Sequence, residues 1–135
     1  MDSYRETFEK AERLCSKKTI AELFENGRSF FCHPLQVIWI SGPDSIPFPA
    51  QVAFSVSKRN FRNAVTRNLI KRRLREAYRR KKYRLYQYLM EKEKKVSLFI
   101  IYKETSVPDY QLLENGISEA IGKLIRNLNE QAAKC

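Results

Sequence analysis

Half of the chain's cations sit in one stretch. Lys58 to Arg84, KRNFRNAVTRNLIKRRLREAYRRKKYR, holds thirteen of the 26 Lys and Arg residues and a single acid, Glu76. That density suits binding rather than bond breaking. Arg forks match pairs of phosphate oxygens, and an Asn among them can bond a phosphate, a ribose or a base edge. No Gly or Pro interrupts the stretch, so a helix can run through most of it. At about 100° per residue, Ile70, Leu74 and Ala77 share one narrow arc. Asn68, Lys71, Arg72, Arg75 and Arg79 gather on another. The helix thus has an apolar side for its own core and a cationic side for something else.

A solvated charged face fits poorly. Arg67, Lys71, Arg75 and Arg79 follow one another at four-residue spacing, and like charges at that spacing cost a few tenths of a kcal/mol per pair. A polyanion would relieve the row. The formal net charge of +11 points the same way. Nucleic acid is favoured over a membrane surface, because the apolar side lacks large exposed aromatics and is needed for packing.

Catalytic chemistry is not apparent. The sequence has no Gly-rich phosphate loop, no H-E-x-x-H, no G-x-S-x-G and no carboxylate pair at metal-binding spacing. Asp44, Glu104 and Asp109 stand alone in loops, where turn and capping roles suffice. The sole histidine, His33, lies beside Pro34 in a β-like run and reads as structural. Cys15, Cys32 and Cys135 are odd in number and far apart, which indicates neither a disulfide framework nor a zinc site. No catalytic and no metal-ligating residue is therefore assigned. A reduced, cytoplasmic compartment is expected. The charged N-terminus MDSYRETFEK has no secretory signal character, and no apolar run approaches the roughly 20 residues of a membrane helix.

The elements that must position the basic helix follow from periodicity. With 135 residues, a single domain is expected, with residues 1–12 and 130–135 flexible. Thr19 and Glu22 have capping-box spacing and predict a short helix from about Thr19 to Asn26, with Ile20, Leu23 and Phe24 as its stripe. Ser29 to Ile40 reads as β, with Pro34 marking a bulge, an edge or a break. Leu35, Val37 and Trp39 point one way; Gln36, Ile38 and Ile40 point the other. Ser41 to Pro49 is a loop, Ala50 to Val56 a strand, and Val96 to Tyr102 the most hydrophobic strand. Leu85 and Leu89 extend the basic helix's stripe, flanked by Tyr83, Tyr86 and Tyr88. Asp109 caps a last helix to about Asn129. The order predicts an α+β two-layer sandwich of about four strands, with helices on one sheet face and the other face partly open. Such a face beside a basic helix is a platform for single-stranded RNA.

Phe54 to Arg79 resembles the bacterial ribonuclease P protein component. Lys58-Arg59 match the paired bases that end the family's strand. Arg67-Asn68, Lys71-Arg72 and Arg75-Glu76 match its basic-helix signature R-N-R-x-K-R-x-x-R-E. Upstream, Arg13-Leu14, Leu23-Phe24 and Gly27 resemble the family's opening, and Val96 to Lys103 its later strand. The likeness spans about residues 13–128. Leu69 stands where the third signature residue is usually Arg, and Ile20 where an aromatic is common.

The resemblance implies the order αβββαβα with a left-handed crossover. It also implies a division of labour, in which a large RNA with Mg²⁺ performs the hydrolysis and the protein binds that RNA and the 5′ leader of precursor tRNA. Arg67, Asn68, Lys71, Arg72, Arg75 and Arg79 would contact the catalytic RNA. Lys58, Arg59 and Arg62 could serve either RNA. Phe24, with Leu35, Val37 and Trp39, would flank the leader. No membrane and no obligate protein partner are implied. A ribosomal or other structural RNA-binding protein is the alternative. A DNA-binding recognition helix lacks its short-turn partner helix, and a free-standing nuclease lacks its carboxylates.

Overall fold

The computed structural model describes residue 8 and residues 10–133. Helix α1 spans Lys17–Asn26 and leads into a hairpin of β1 (Arg28–Cys32) and β2 (Leu35–Ser41). Strand β3 (Ala50–Val56), helix α2 (Ala64–Glu91), strand β4 (Val96–Tyr102) and helix α3 (Tyr110–Ala133) follow. The sheet order is β1-β2-β4-β3. β2 is antiparallel to β1 and β4, while β3 and β4 run parallel. A parallel pair needs a crossover, and α2 supplies it. The expected α+β sandwich and element order are both present.

Local chemistry sets the boundaries. Asn63 caps α2, its side chain accepting from the Val65 N–H at 2.8 Å. Asp109 accepts from the Leu112 N–H at 2.9 Å and opens α3 as expected. α1 starts earlier than expected: the Ser16 hydroxyl, not Thr19, is the N-cap, accepting from the Thr19 N–H at 3.2 Å. Both residues suit the role, and the earlier cap adds helical residues. The Gly27 N–H bonds the Leu23 carbonyl at 2.9 Å, and a Cβ on Gly27 would collide with that oxygen. Pro34 falls in the turn between β1 and β2, so it is a break.

The main core lies between the sheet and helices α2 and α3. Ile70, Leu74 and Ala77 are buried there, as the helical arc requires, with Leu113, Ile117 and Leu124 of α3. Helix α1 differs from expectation and packs on the opposite sheet face. Leu23 meets Ile38 of β2 there, with Ile20, Ala53, Phe99 and Ile101 packed around them. The reason lies in β4: VSLFIIY is apolar at both parities, so each face requires cover.

Within the N-terminal stretch expected to be flexible, Phe8 is half-buried and Glu12 buried, while Lys10 and Ala11 are exposed. Arg13 forms a parallel bridge with Val52, the Leu14 N–H bonds the Val52 carbonyl at 3.0 Å, and the Gln51 side chain donates to the Ala11 carbonyl at 2.9 Å. Phe8 meets Phe54 and Tyr78 edge-on at 6.0 and 5.8 Å. The segment covers the β3 edge, which would otherwise expose unpaired backbone groups. α3 runs through residues 130–133 rather than stopping near Asn129. The rest of the two expected flexible termini, residues 1–7, 9 and 134–135, lies outside the described residues.

Candidate nucleic-acid interface

The basic stretch divides its cations between two tasks. Some serve the protein itself. Arg67 donates to the carbonyls of Phe61 and Arg62 at 2.7 and 3.0 Å and braces the turn ahead of α2. Arg73 donates to the Pro108 carbonyl at 2.6 Å and Arg84 to the Ser118 carbonyl at 2.9 Å, tying α2 to the α3 side. Lys82 is buried and ion-paired with Glu12, whose carboxylate also accepts from the Tyr86 hydroxyl at 2.5 Å. Burial, the Tyr78 hydroxyl and the Glu12 charge push the Tyr86 pKa far up, so this tyrosine stays neutral.

The others face outward. Lys58, Arg59, Arg62, Asn68 and Arg72 are exposed, and Lys71 and Arg75 half-buried. None of these six cations forms an ion pair among the described residues. Burial, then repulsion from Arg13, lowers the Arg75 pKa. The repulsion reveals an extra member of the face: the segment along β3 brings Arg13 beside Arg75. Its signal in the sequence was the Arg13-Leu14 pair, whose role was not assigned. Arg79 is compromised by Glu76, which accepts from it at 3.1 and 2.5 Å. That hydrogen bond chiefly holds the Glu76 carboxyl below its usual range. The half-buried Leu69 sits between the apolar and cationic sides, as the helical angle implies.

On the α1 side of the sheet, register creates a strip across all four strands. Phe31 pairs with Gln36, Gln36 with Ile101, and Ile101 with Ser55. The next row, Ser29–Ile38–Phe99–Ala53, includes the buried Ile38 under α1. Phe24 is 57% exposed at the edge of α1 and meets Phe99 edge-on at 5.0 Å. The result is a shallow cleft with aromatic walls. At its β3 end it faces the turn carrying Lys58 and Arg59.

Three expected wall residues are not there. Leu35, Val37 and Trp39 are 0%, 2% and 1% exposed and point into the core beneath α2 and α3. This corrects their assignment to the leader. Strand alternation sends the other parity, Phe31, Gln36, Ser55, Phe99 and Ile101, to the α1 side of the sheet. The alternation was legible, but which parity met the two long helices was not. Phe24, the other residue expected to flank the leader, is exposed on this side of the sheet.

Among the described residues no three His, Cys, Asp or Glu side chains cluster to hold a metal, and no helix is long and apolar enough to cross a membrane. His33 lies 3.5 Å from Glu104 across the strand ends.

The family model for ribonuclease P matches residues 8–125. The ribonuclease P protein component of Porphyromonas gingivalis is 30% identical over 125 residues, 93% of this chain and 91% of that protein. That of Chlorobium phaeobacteroides is 34% identical over 119 residues, 81% of this chain and 82% of its own length. The solved ribonuclease P protein of Staphylococcus aureus superposes with a TM-score of 0.66 over 85% of this chain and 95% of that one, at 22% identity. The protein from Thermotoga maritima does so with 0.62 over 83% and 96%, at 18% identity, a likeness of fold. The ribosomal alternative is not favoured by any of these matches. With its basic helix, open cleft and matched length, the chain belongs to the ribonuclease P protein component family, the protein part of an RNA-containing endoribonuclease.

Proposed function

We propose that the outward face of α2 docks on ribonuclease P RNA while the cleft under α1 holds the 5′ leader of precursor tRNA. The observation that carries this reading is the division of cations. Arg67 and Arg73 are half-buried against backbone carbonyls and Lys82 is buried against a carboxylate, whereas Lys71, Arg72 and Arg75 are left in one row without an acid. A row of unneutralised charge on a rigid helix fits a phosphate backbone. Asn68 adds a donor and an acceptor to the same face. Lys58, Arg59 and Arg62 sit at the junction of ridge and cleft, within reach of either RNA.

The cleft suits a single strand. Phe24 and Phe99 offer ring faces and edges for bases, and Gln36 and Ser55 offer hydrogen bonds. Few groups there could read a base edge, so leader sequence should matter little. Hydrolysis belongs to the RNA and its Mg²⁺ ions; the residues of this chain bind and orient. A cytoplasmic setting follows from that partnership.

The test mixes the protein with ribonuclease P RNA and precursor tRNA at limiting Mg²⁺. Stimulated release of the intact leader is expected. No stimulation, or cleavage by the protein alone, would overturn the reading.

A further inference from the structure

We propose that the leader's path continues past the cleft. It would turn over the edge of β1 into a basic groove between β1 and α3, where Arg84, Lys123 and Arg126 take the phosphates of the cleavage-distal leader. The inference rests on the assignment of the cleft to the leader.

The strip Ser55–Ile101–Gln36–Phe31 has two ends. One lies at β3, beside Lys58, Arg59 and the start of α2. If α2 docks on the catalytic RNA, the cleavage-proximal leader enters here. The other end is Phe31, on the outermost strand of the described sheet. Its ring is 51% exposed and meets the His33 ring edge-on at 6.3 Å. Phe31 and His33 also line a groove of about 620 Å³ on the α3 side, together with Arg84, Glu119, Lys123 and Arg126. Strip and groove therefore meet at Phe31, and a strand crossing the sheet would arrive there.

The groove is built to keep its charge. Three cations face one carboxylate, and that carboxylate, Glu119, accepts from the Cys32 thiol at 3.7 Å. Lys123 donates to the outer carbonyl of Phe31 at 3.2 Å and lies 5.5 Å from the centre of the Phe30 ring. Arg84 donates to the Ser118 carbonyl at 2.9 Å. Carbonyl and ring contacts fix a cation in place without neutralising it. Arg126 is exposed, with no hydrogen bond or ion pair among the described residues. Unneutralised cations beside an exposed aromatic suit a nucleic-acid strand. An acidic peptide would satisfy the charges, but it would have no reason to be continuous with the strip.

The test uses holoenzyme reconstituted with wild-type protein or Lys123→Gln/Arg126→Gln, and two precursor tRNAs. One carries a leader of about four nucleotides, enough to cross strands about 4.8 Å apart. The other carries a leader several nucleotides longer. Wild type should bind the longer leader several-fold more tightly. The double variant should lose that gain while binding the short-leader substrate as wild type does. Its salt slope on the long leader should flatten by about 1.4, two single-strand phosphates' worth. Arg126→Gln alone should give part of the effect and guards against misfolding. The proposal is overturned if the gain survives in the double variant, if wild type shows no gain, or if both substrates weaken equally. Failure of the wild-type chain to bind ribonuclease P RNA would instead remove the functional reading beneath it.

Discussion

Lys82 of the basic helix turns inward and pairs with Glu12, seventy residues earlier in the chain, inside the protein. The pair pins the segment along β3 to α2, and that segment brings Arg13 beside Arg75. A charge that composition would assign to a partner is thus part of the scaffold that shapes the partner's surface.

Removing one member leaves the other buried without compensation, which costs about 3–5 kcal/mol. Glu12→Ala and Lys82→Ala are each expected to lose stability on that scale in urea unfolding. Glu12→Leu/Lys82→Met should recover most of it, since apolar replacement of a buried pair is often neutral. Single variants as stable as wild type would show that the pair is not sealed from water.

Phe24 and Leu35 should separate function from stability. Phe24→Ala removes an exposed ring, and base stacking is worth about 1–3 kcal/mol. It should weaken precursor tRNA binding by the holoenzyme and leave mature tRNA binding and the unfolding midpoint unchanged. Leu35→Ala should cost about 2–5 kcal/mol of stability and, once folded, leave leader affinity alone. Reversed results would restore the buried parity to the leader.

Lys71 and Arg67 should differ although both lie on one helix face. Lys71→Ala should flatten the salt dependence of ribonuclease P RNA binding by roughly one unit without loss of stability. Arg67→Ala should also destabilise the chain, because the Phe61 and Arg62 carbonyls lose their donor. Equal melting temperatures for the two variants would count against that brace.

Glu76 restrains the ridge. Glu76→Gln removes the acid that holds Arg79, so RNA binding should tighten and its salt slope steepen by up to about one unit. The acid limb should change too. The folded pKa of Glu76 lies below its unfolded value. Its contribution is therefore present at neutral pH and lost as pH falls from about 4.3 through the lower folded value. The variant should lack that small component in acid titrations of stability, which remains shallow because the pair is part-exposed and screened by solvent.

Much was legible before any coordinates. Ile70, Leu74 and Ala77 fell on one side of a helix because a period of 3.6 residues leaves no other arrangement. The capping of α3 by Asp109 and the strand character of Val96 to Tyr102 followed from local chemistry, which left Pro34 as a bulge, an edge or a break. The motif residues from Lys58 to Arg75 carried the family by their spacing.

Contacts between distant segments decided the rest. Alternation divided β2 into two sets, but which set met α2 and α3 depended on where those helices packed. The placement of α1 on the far side of the sheet turned Leu35, Val37 and Trp39 into core and Gln36 and Phe99 into cleft. Composition counted thirteen cations in the basic stretch; only packing separated those facing outward from those turned toward Glu12, Phe61 and Pro108. A side chain's partner is chosen by distance in space, and residues far apart in sequence approach only when the chain closes on its core.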